Sequence, residues 1–189
     1  ASGVSGGGGH VEAATEISGG DWFVLAMLVG GALFISFMCS LLEAVVMSVD
    51  IYKLTAMSKK GDPGAQRMLK IKENTEDSIA AILTLNTVAH TVGATLSGAQ
   101  ALKMFGSEAM GLFSGILTLL ILVLTEIIPK NAGERYPEKF SNFASVVLTV
   151  IIFLMYPLVK ANRILVLLLY GEHHEVMERS TVDAIHDKA

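Results

Sequence analysis

Long apolar blocks, almost free of charge, set the first limit on what this chain can fold into. Residues 22–49 hold Glu43 as their only Asp, Glu, Lys or Arg, whereas 78–102 and 109–124 hold none. A helix needs ~20 mostly apolar residues to cross a hydrocarbon core. The first two blocks meet that length, and the third meets it once 125–128 are added, which brings Glu126 into the span. The blocks recur through the chain and are too long for a cleaved leader. The expected fold class is an all-α integral membrane protein in a plasma or inner membrane. It has three spanning helices per subunit, at about 22–49, 78–102 and 109–128.

The basic residues predict its orientation. No Lys or Arg precedes Lys53, and Lys53, Lys59, Lys60, Arg67, Lys70 and Lys72 then crowd the segment between the first two blocks. Basic loops stay on the cytoplasmic side. The N-terminus is therefore expected outside and the C-terminus inside, with 103–108 an external turn and Lys130, Arg135 and Lys139 on the inner side. The formal net charge of −4 gives no reason to expect nucleic acid. The single Cys39 excludes a disulfide framework or a thiol metal cluster.

The remaining segments are less apolar. Residues 1–20, rich in Gly and Ser, read as a flexible external tail. Residues 51–73 predict two short juxtamembrane helices, parted at Gly61-Asp62-Pro63-Gly64, with Pro63 suited to a first helical position. Asn74-Thr75-Glu76-Asp77 reads as a capped helix start. Residues 137–169 are apolar but interrupted by Pro157 and carry Lys160 and Arg163. Crossing outward there would break the charge rule, so an in-plane belt of two helices meeting at Pro157 is favoured over a re-entrant hairpin. From Gly171 the chain turns polar, as the start of a cytoplasmic helical region that is cut short; His173 and His174 lie in it as solvated surface. Small residues at four-residue spacing (Ala89, Gly93, Ser97; Gly111, Gly115) fit either close packing within the chain or a homodimer contact.

Polar residues inside the spans require a reason. Ser36, Ser40 and Glu43 share one helix face, and Asn86 and His90 another. At ~1.5 Å per residue, Glu43 and Asn86 lie roughly 10–14 Å in from Asp50 and Asp77, the cytoplasmic ends of their helices. Glu126 lies near the inner surface if Pro129 ends its helix, and deeper if the helix continues. An ionised carboxylate at such depth costs on the order of 3 kcal/mol or more without a partner. Beyond His90 and the terminal Lys130 the spans offer no base, which leaves protonation or a metal. Pro129 lacks the N–H that would bond the Thr125 carbonyl. A freed carbonyl, a Ser hydroxyl, an Asn amide oxygen and a carboxylate form an all-oxygen set suited to Mg²⁺, Ca²⁺ or Na⁺. Each residue also has an ordinary reading. Serine bonds its own helix backbone, asparagine bonds between helices, Glu126 meets headgroup water, and His90 packs.

Ser40-Leu41-Leu42-Glu43-Ala44, Leu85-Asn86-Thr87 and Glu126-Ile127-Ile128-Pro129-Lys130, in that order, resemble the signature segments of the CorC/CNNM magnesium-transporter transmembrane domain. The likeness covers roughly 22–170. It implies a homodimer in the lipid bilayer, a juxtamembrane belt helix and a downstream cytoplasmic CBS-pair domain, which alone would bring in nucleotide. It also implies Mg²⁺ export from an inward-open cavity, with Na⁺ the candidate coupling ion. Carried over, the ion's ligands are Ser40, Asn86 and Glu126 with nearby main-chain carbonyls, and Glu43 lies beside them. Thr125, Pro129, Lys130 and His90 surround that set. The chain departs from the pattern at Leu85, where Gly is common, at His90, where a second Asn is common, and at Leu41-Leu42. A membrane Mg²⁺ sensor or scaffold acting through the cytoplasmic domain is the alternative. An intramembrane enzyme is not expected, because the spans hold no nucleophile–base pair.

Overall fold

The computed structural model describes residues 17–170, and within them every regular element is helical. The expectations for 1–16 and 171–189 lie outside the described residues. Helix α1 (Gly19–Ser48) starts at Ser18, ahead of the apolar block. Gly20 N–H donates to Ser18 Oγ at 3.3 Å, and Ser18 N–H donates to Asp21 Oδ2 at 3.2 Å. This capping box meets donors that the first turn leaves unpaired and offsets the poor helix propensity of Gly19 and Gly20.

Two short helices follow, α2 (Ile51–Lys59) and α3 (Pro63–Glu73). Asp50 caps the first through Tyr52 N–H at 2.7 Å, and Asp62 caps the second through Gly64 N–H at 2.8 Å. Between them Gly61 takes φ +87°, a conformation that costs glycine least. The long helix α4 (Thr75–Phe105) begins where the sequence suggests but without the expected Asn74 side-chain cap. Instead Thr75 Oγ1 donates to the Lys72 carbonyl at 2.7 Å and Ser78 Oγ to the Asn74 carbonyl at 2.8 Å, so hydroxyls close the α3–α4 corner.

From Met110 to Arg135 the chain is helical throughout, as α5 (Met110–Leu120), a π-helical segment (Ile121–Ile127) and α6 (Ile128–Arg135). Pro129 does not end the helix. Helix α7 (Pro137–Tyr170) likewise runs on through Pro157, so the expected pair of helices meeting there, or a hairpin, is replaced by one continuous helix. An interior proline deletes one backbone bond, here to Phe153, and adds ring bulk. Pro157 is exposed, so its ring meets little, while buried Leu148, Ile151 and Val159 hold the opposite face in place.

Four helices are long and apolar enough to cross a membrane, one more than the sequence reading counts: Gly19–Ser48, Thr75–Phe105, Met110–Arg135 and Pro137–Ala161. Large apolar side chains such as Phe23, Phe34, Leu112 and Phe153 cover their outside, as a lipid-facing surface requires.

Buried apolar side chains form two groups. The larger joins the second half of α1 (Leu42, Val45, Val46) to Leu54, Met68, Ile82 and the α7 residues Ala144, Leu148, Ile151 and Val159. The smaller, at the other end of α1 and α4, contains Leu25, Ala101 and Met104 but no α7 residue. There Trp22 and Phe105 meet edge to face at 5.5 Å, and Lys103 Nζ lies 2.8 Å from Asp21. At the basic end Lys53 pairs with Glu138, whose hydrogen bond holds the lysine above its ordinary pKa. Helix α7 thus packs beside α3 and the first turns of α4, not along the whole length of α4.

Candidate functional site

Small side chains bring the helices close enough for polar groups to meet. A methyl placed on Gly93 of α4 would collide with Ala32 of α1. One placed on Gly133 of α6 would lie 2.7 Å from Ala44 Cβ and 2.9 Å from the Leu41 carbonyl oxygen. The α4 stripe therefore serves packing within the chain, whereas Gly111 and Gly115 have nothing within 4 Å of an added methyl.

Within this frame Ser36, His90 and Thr125 join α1, α4 and the π segment. Thr125 Oγ1 donates to the Ile121 carbonyl at 2.7 Å, so it must accept from Ser36, whose hydroxyl lies 2.9 Å away. The single Ser36 proton is then committed, and the His90 Nε2 that contacts Ser36 Oγ must be the donor. The chain runs His90 to Ser36 to Thr125 to backbone, with each proton assigned.

Ser40 and Asn86 lie one turn further toward the basic end. Helix α1 runs toward that end and α4 away from it, so the Ser36–His90 contact puts their i+4 and i−4 neighbours at one level. Ser40 Oγ and Asn86 Oδ1 are buried there and, among the described residues, are the buried side-chain polar atoms without a hydrogen-bond partner. An unpaired buried polar atom costs about 1–3 kcal/mol. Ser40 has not taken the ordinary route of bonding its own helix.

The π segment reaches α1 through Thr125. Thr125 is buried and Glu126, the next residue, is half-buried. Ile128 N–H bonds the Val123 carbonyl, five residues back. Pro129 follows without an N–H, so the carbonyl it would have met, Leu124 in π register or Thr125 in α register, loses its donor. Glu126 is in none of the ion pairs among the described residues. Those residues also hold no group of three or more His, Cys, Asp or Glu placed to hold a metal, so a cation here would have to rely largely on neutral oxygens.

Glu43 differs from the sequence argument. Lys130 Nζ lies 3.4 Å from its carboxylate, so Glu43 pairs with the base at the end of the third apolar stretch. The helix continues past Pro129 as α6, and Lys130 on it lies against α1 through Glu43. Sequence reasoning missed the π register and the role of Ser36. The one available signal was the matched four-residue spacing of Ser36–Ser40 and Asn86–His90.

Packed apolar helices with buried polar oxygens between them define an integral membrane protein. The chain belongs to the CNNM family, whose cyclin M transmembrane N-terminal domain matches residues 27–188. It is 37% identical over 121 residues to a UPF0053 protein of Synechocystis, covering 64% of this chain and 35% of the relative. It is 29% identical over 117 residues to a UPF0053 protein of Haemophilus influenzae, covering 62% and 28%. The UPF0053 inner membrane protein YfjD of Escherichia coli is 30% identical over 117 residues, covering 62% and 27%. The chain thus spans about a third of the length of these curated relatives.

Proposed function

We propose that this chain is the membrane domain of a Mg²⁺ exporter, with the ion as cargo passing between Ser40, Asn86 and Glu126. The observation that carries this reading is the pair of orphaned atoms, Ser40 Oγ on α1 and Asn86 Oδ1 on α4; Glu126 is the carboxylate the reading adds to them. Such orphans are uncommon in folded proteins and call for a partner. A hydroxyl, an amide oxygen, a carboxylate and a freed carbonyl match the hard-oxygen preference of Mg²⁺. Mg²⁺ sheds its water reluctantly, so a site of protein oxygens favours slow, carrier-like transport. Glu126 neutralises part of the ion's charge, and the Glu43–Lys130 pair lies toward the cytoplasmic mouth. His90 holds the neighbouring turn through Ser36.

The same reading has α1, α4 and the α5–α6 helix spanning, with the N-terminus outside and the C-terminus inside. Helix α7 is the belt at the inner surface, a placement supported by its packing on α3 and its absence from the outer group. A homodimer is part of the proposal, and the open face bearing Gly111 and Gly115 is its candidate contact. Na⁺ entry is the proposed driving force, and a cytoplasmic CBS-pair domain the proposed regulator.

Mg²⁺ flux from proteoliposomes, with and without an opposing Na⁺ gradient, tests this reading. Flux that rises with the gradient and is lost in Glu126→Ala supports it. Mg²⁺ binding without flux would replace it with a membrane sensor or scaffold.

A further inference from the structure

A cavity of about 760 Å³ opens where α3, the first turns of α4 and α7 meet, and neither Ser40 nor Asn86 lines it. Its size is that of a small-molecule pocket. Ile71, Ile152 and Val159 give it an apolar wall, and Arg67, Lys70 and Lys160 give it a basic one. Asp77 is the carboxylate facing them. Among the described residues the ion pairs are Lys53–Glu138, Lys103–Asp21 and Lys130–Glu43, so none of the three cavity cations is paired. Arg67 is held by neutral acceptors, donating to Asn142 Oδ1 at 3.0 Å and Ser145 Oγ at 3.4 Å. These fix its guanidinium against α7 without supplying a counter-charge.

Three cations against one carboxylate, next to an apolar wall and in no ion pair among the described residues, suit a molecule with an anionic head and a hydrocarbon body. A free inorganic anion would gain nothing from the isoleucines. The cavity also belongs to the basic end of the molecule, where anionic lipid headgroups draw Lys and Arg. We propose that it binds one anionic phospholipid of the adjoining leaflet, its phosphate among Arg67, Lys70 and Lys160 and its acyl chain along Ile71, Ile152 and Val159. The lipid fills the seam between α7 and α3 and fixes α7 against the bundle. The proposal rests on the membrane placement of this end and not on Mg²⁺ transport.

Native mass spectrometry tests it on the chain exchanged into micelles with equal phosphatidylglycerol and phosphatidylcholine. The expected result is retained phosphatidylglycerol, reduced on the order of ten-fold or more in K70Q/K160Q, since each surface cation contributes about 1 kcal/mol. K59Q/K60Q, at the end of α2, retains the lipid. Equal retention of both lipids would overturn the proposal and leave the cavity to another occupant, such as the acidic sequence at 172–178. Equal loss in K59Q/K60Q would also overturn it, by reducing the effect to general surface charge.

Quenching gives a readout that needs no lysine variant. Tyr156 lines the cavity, so Tyr156→Trp on a Trp22→Phe background should be quenched more by dibrominated phosphatidylglycerol than by dibrominated phosphatidylcholine. Equal quenching by the two lipids counts against the proposal.

Discussion

The Ser36 hydroxyl on α1 donates to Thr125 Oγ1 at 2.9 Å and ties the π segment to the first helix one turn before Ser40. Because Ser36 also accepts from His90, it is the joint of the chain. Ser36→Ala leaves the His90 N–H and the Thr125 oxygen without that partner. A buried group orphaned in this way costs about 1–3 kcal/mol. Thermal unfolding in detergent should show that loss, with Mg²⁺ affinity lowered several-fold although no ion ligand is removed. An unchanged melting temperature would show that the joint carries no load.

Ser40 predicts the opposite pattern. Its hydroxyl has no partner, so Ser40→Ala removes an unmet polar atom and not a bond. Without Mg²⁺ the variant should be as stable as the parent or more so, as expected where a site holds unfavourable groups for function. Stabilisation by added Mg²⁺ should shrink. Marked destabilisation in the absence of Mg²⁺ would point instead to a packing role.

Glu43 and Lys130 are separated by 3.4 Å and partly exposed, with side-chain exposures of 22% and 44%. Such pairs contribute about 0–1 kcal/mol and weaken with salt. Lys130→Met should therefore shift stability by less than about 1 kcal/mol, with the difference shrinking at high salt. A cost of several kcal/mol would mean that Glu43 is buried far more deeply in the membrane.

Gly133 marks the closest approach of α6 to α1. In Gly133→Ala the new methyl meets the Leu41 carbonyl oxygen at 2.9 Å, a backbone atom that cannot swing aside. Overpacking of this kind costs about 1–3 kcal/mol. Gly111→Ala puts its methyl in open space and should change the stability of the single chain by no more than about 0.5 kcal/mol. Urea or thermal unfolding of the two variants, side by side, checks the contrast.

Three of the four membrane-length helices, the Gly61–Pro63 break and the faces bearing Ser40 and Asn86 were legible because each depends on local rules: uncharged length, proline geometry and helical period. Three features were not. The π register follows from how Ile121–Ile127 accommodates its neighbours, and no residue type announces it. Continuation past Pro129 and Pro157 depends on tertiary packing outweighing the loss of one backbone bond. The Glu43–Lys130 pair required knowing that α6 packs closely against α1, a contact made possible by the missing side chain at Gly133.

The central claim is that Ser40, Asn86 and Glu126 hold one cation. Calorimetric titration of Mg²⁺ into the purified chain, beside Asn86→Ala and Glu126→Ala variants that keep the parent's melting profile, tests it most directly. The account predicts saturable binding in the parent and its loss in both variants. Unaltered binding in either variant, or none in the parent, would contradict it.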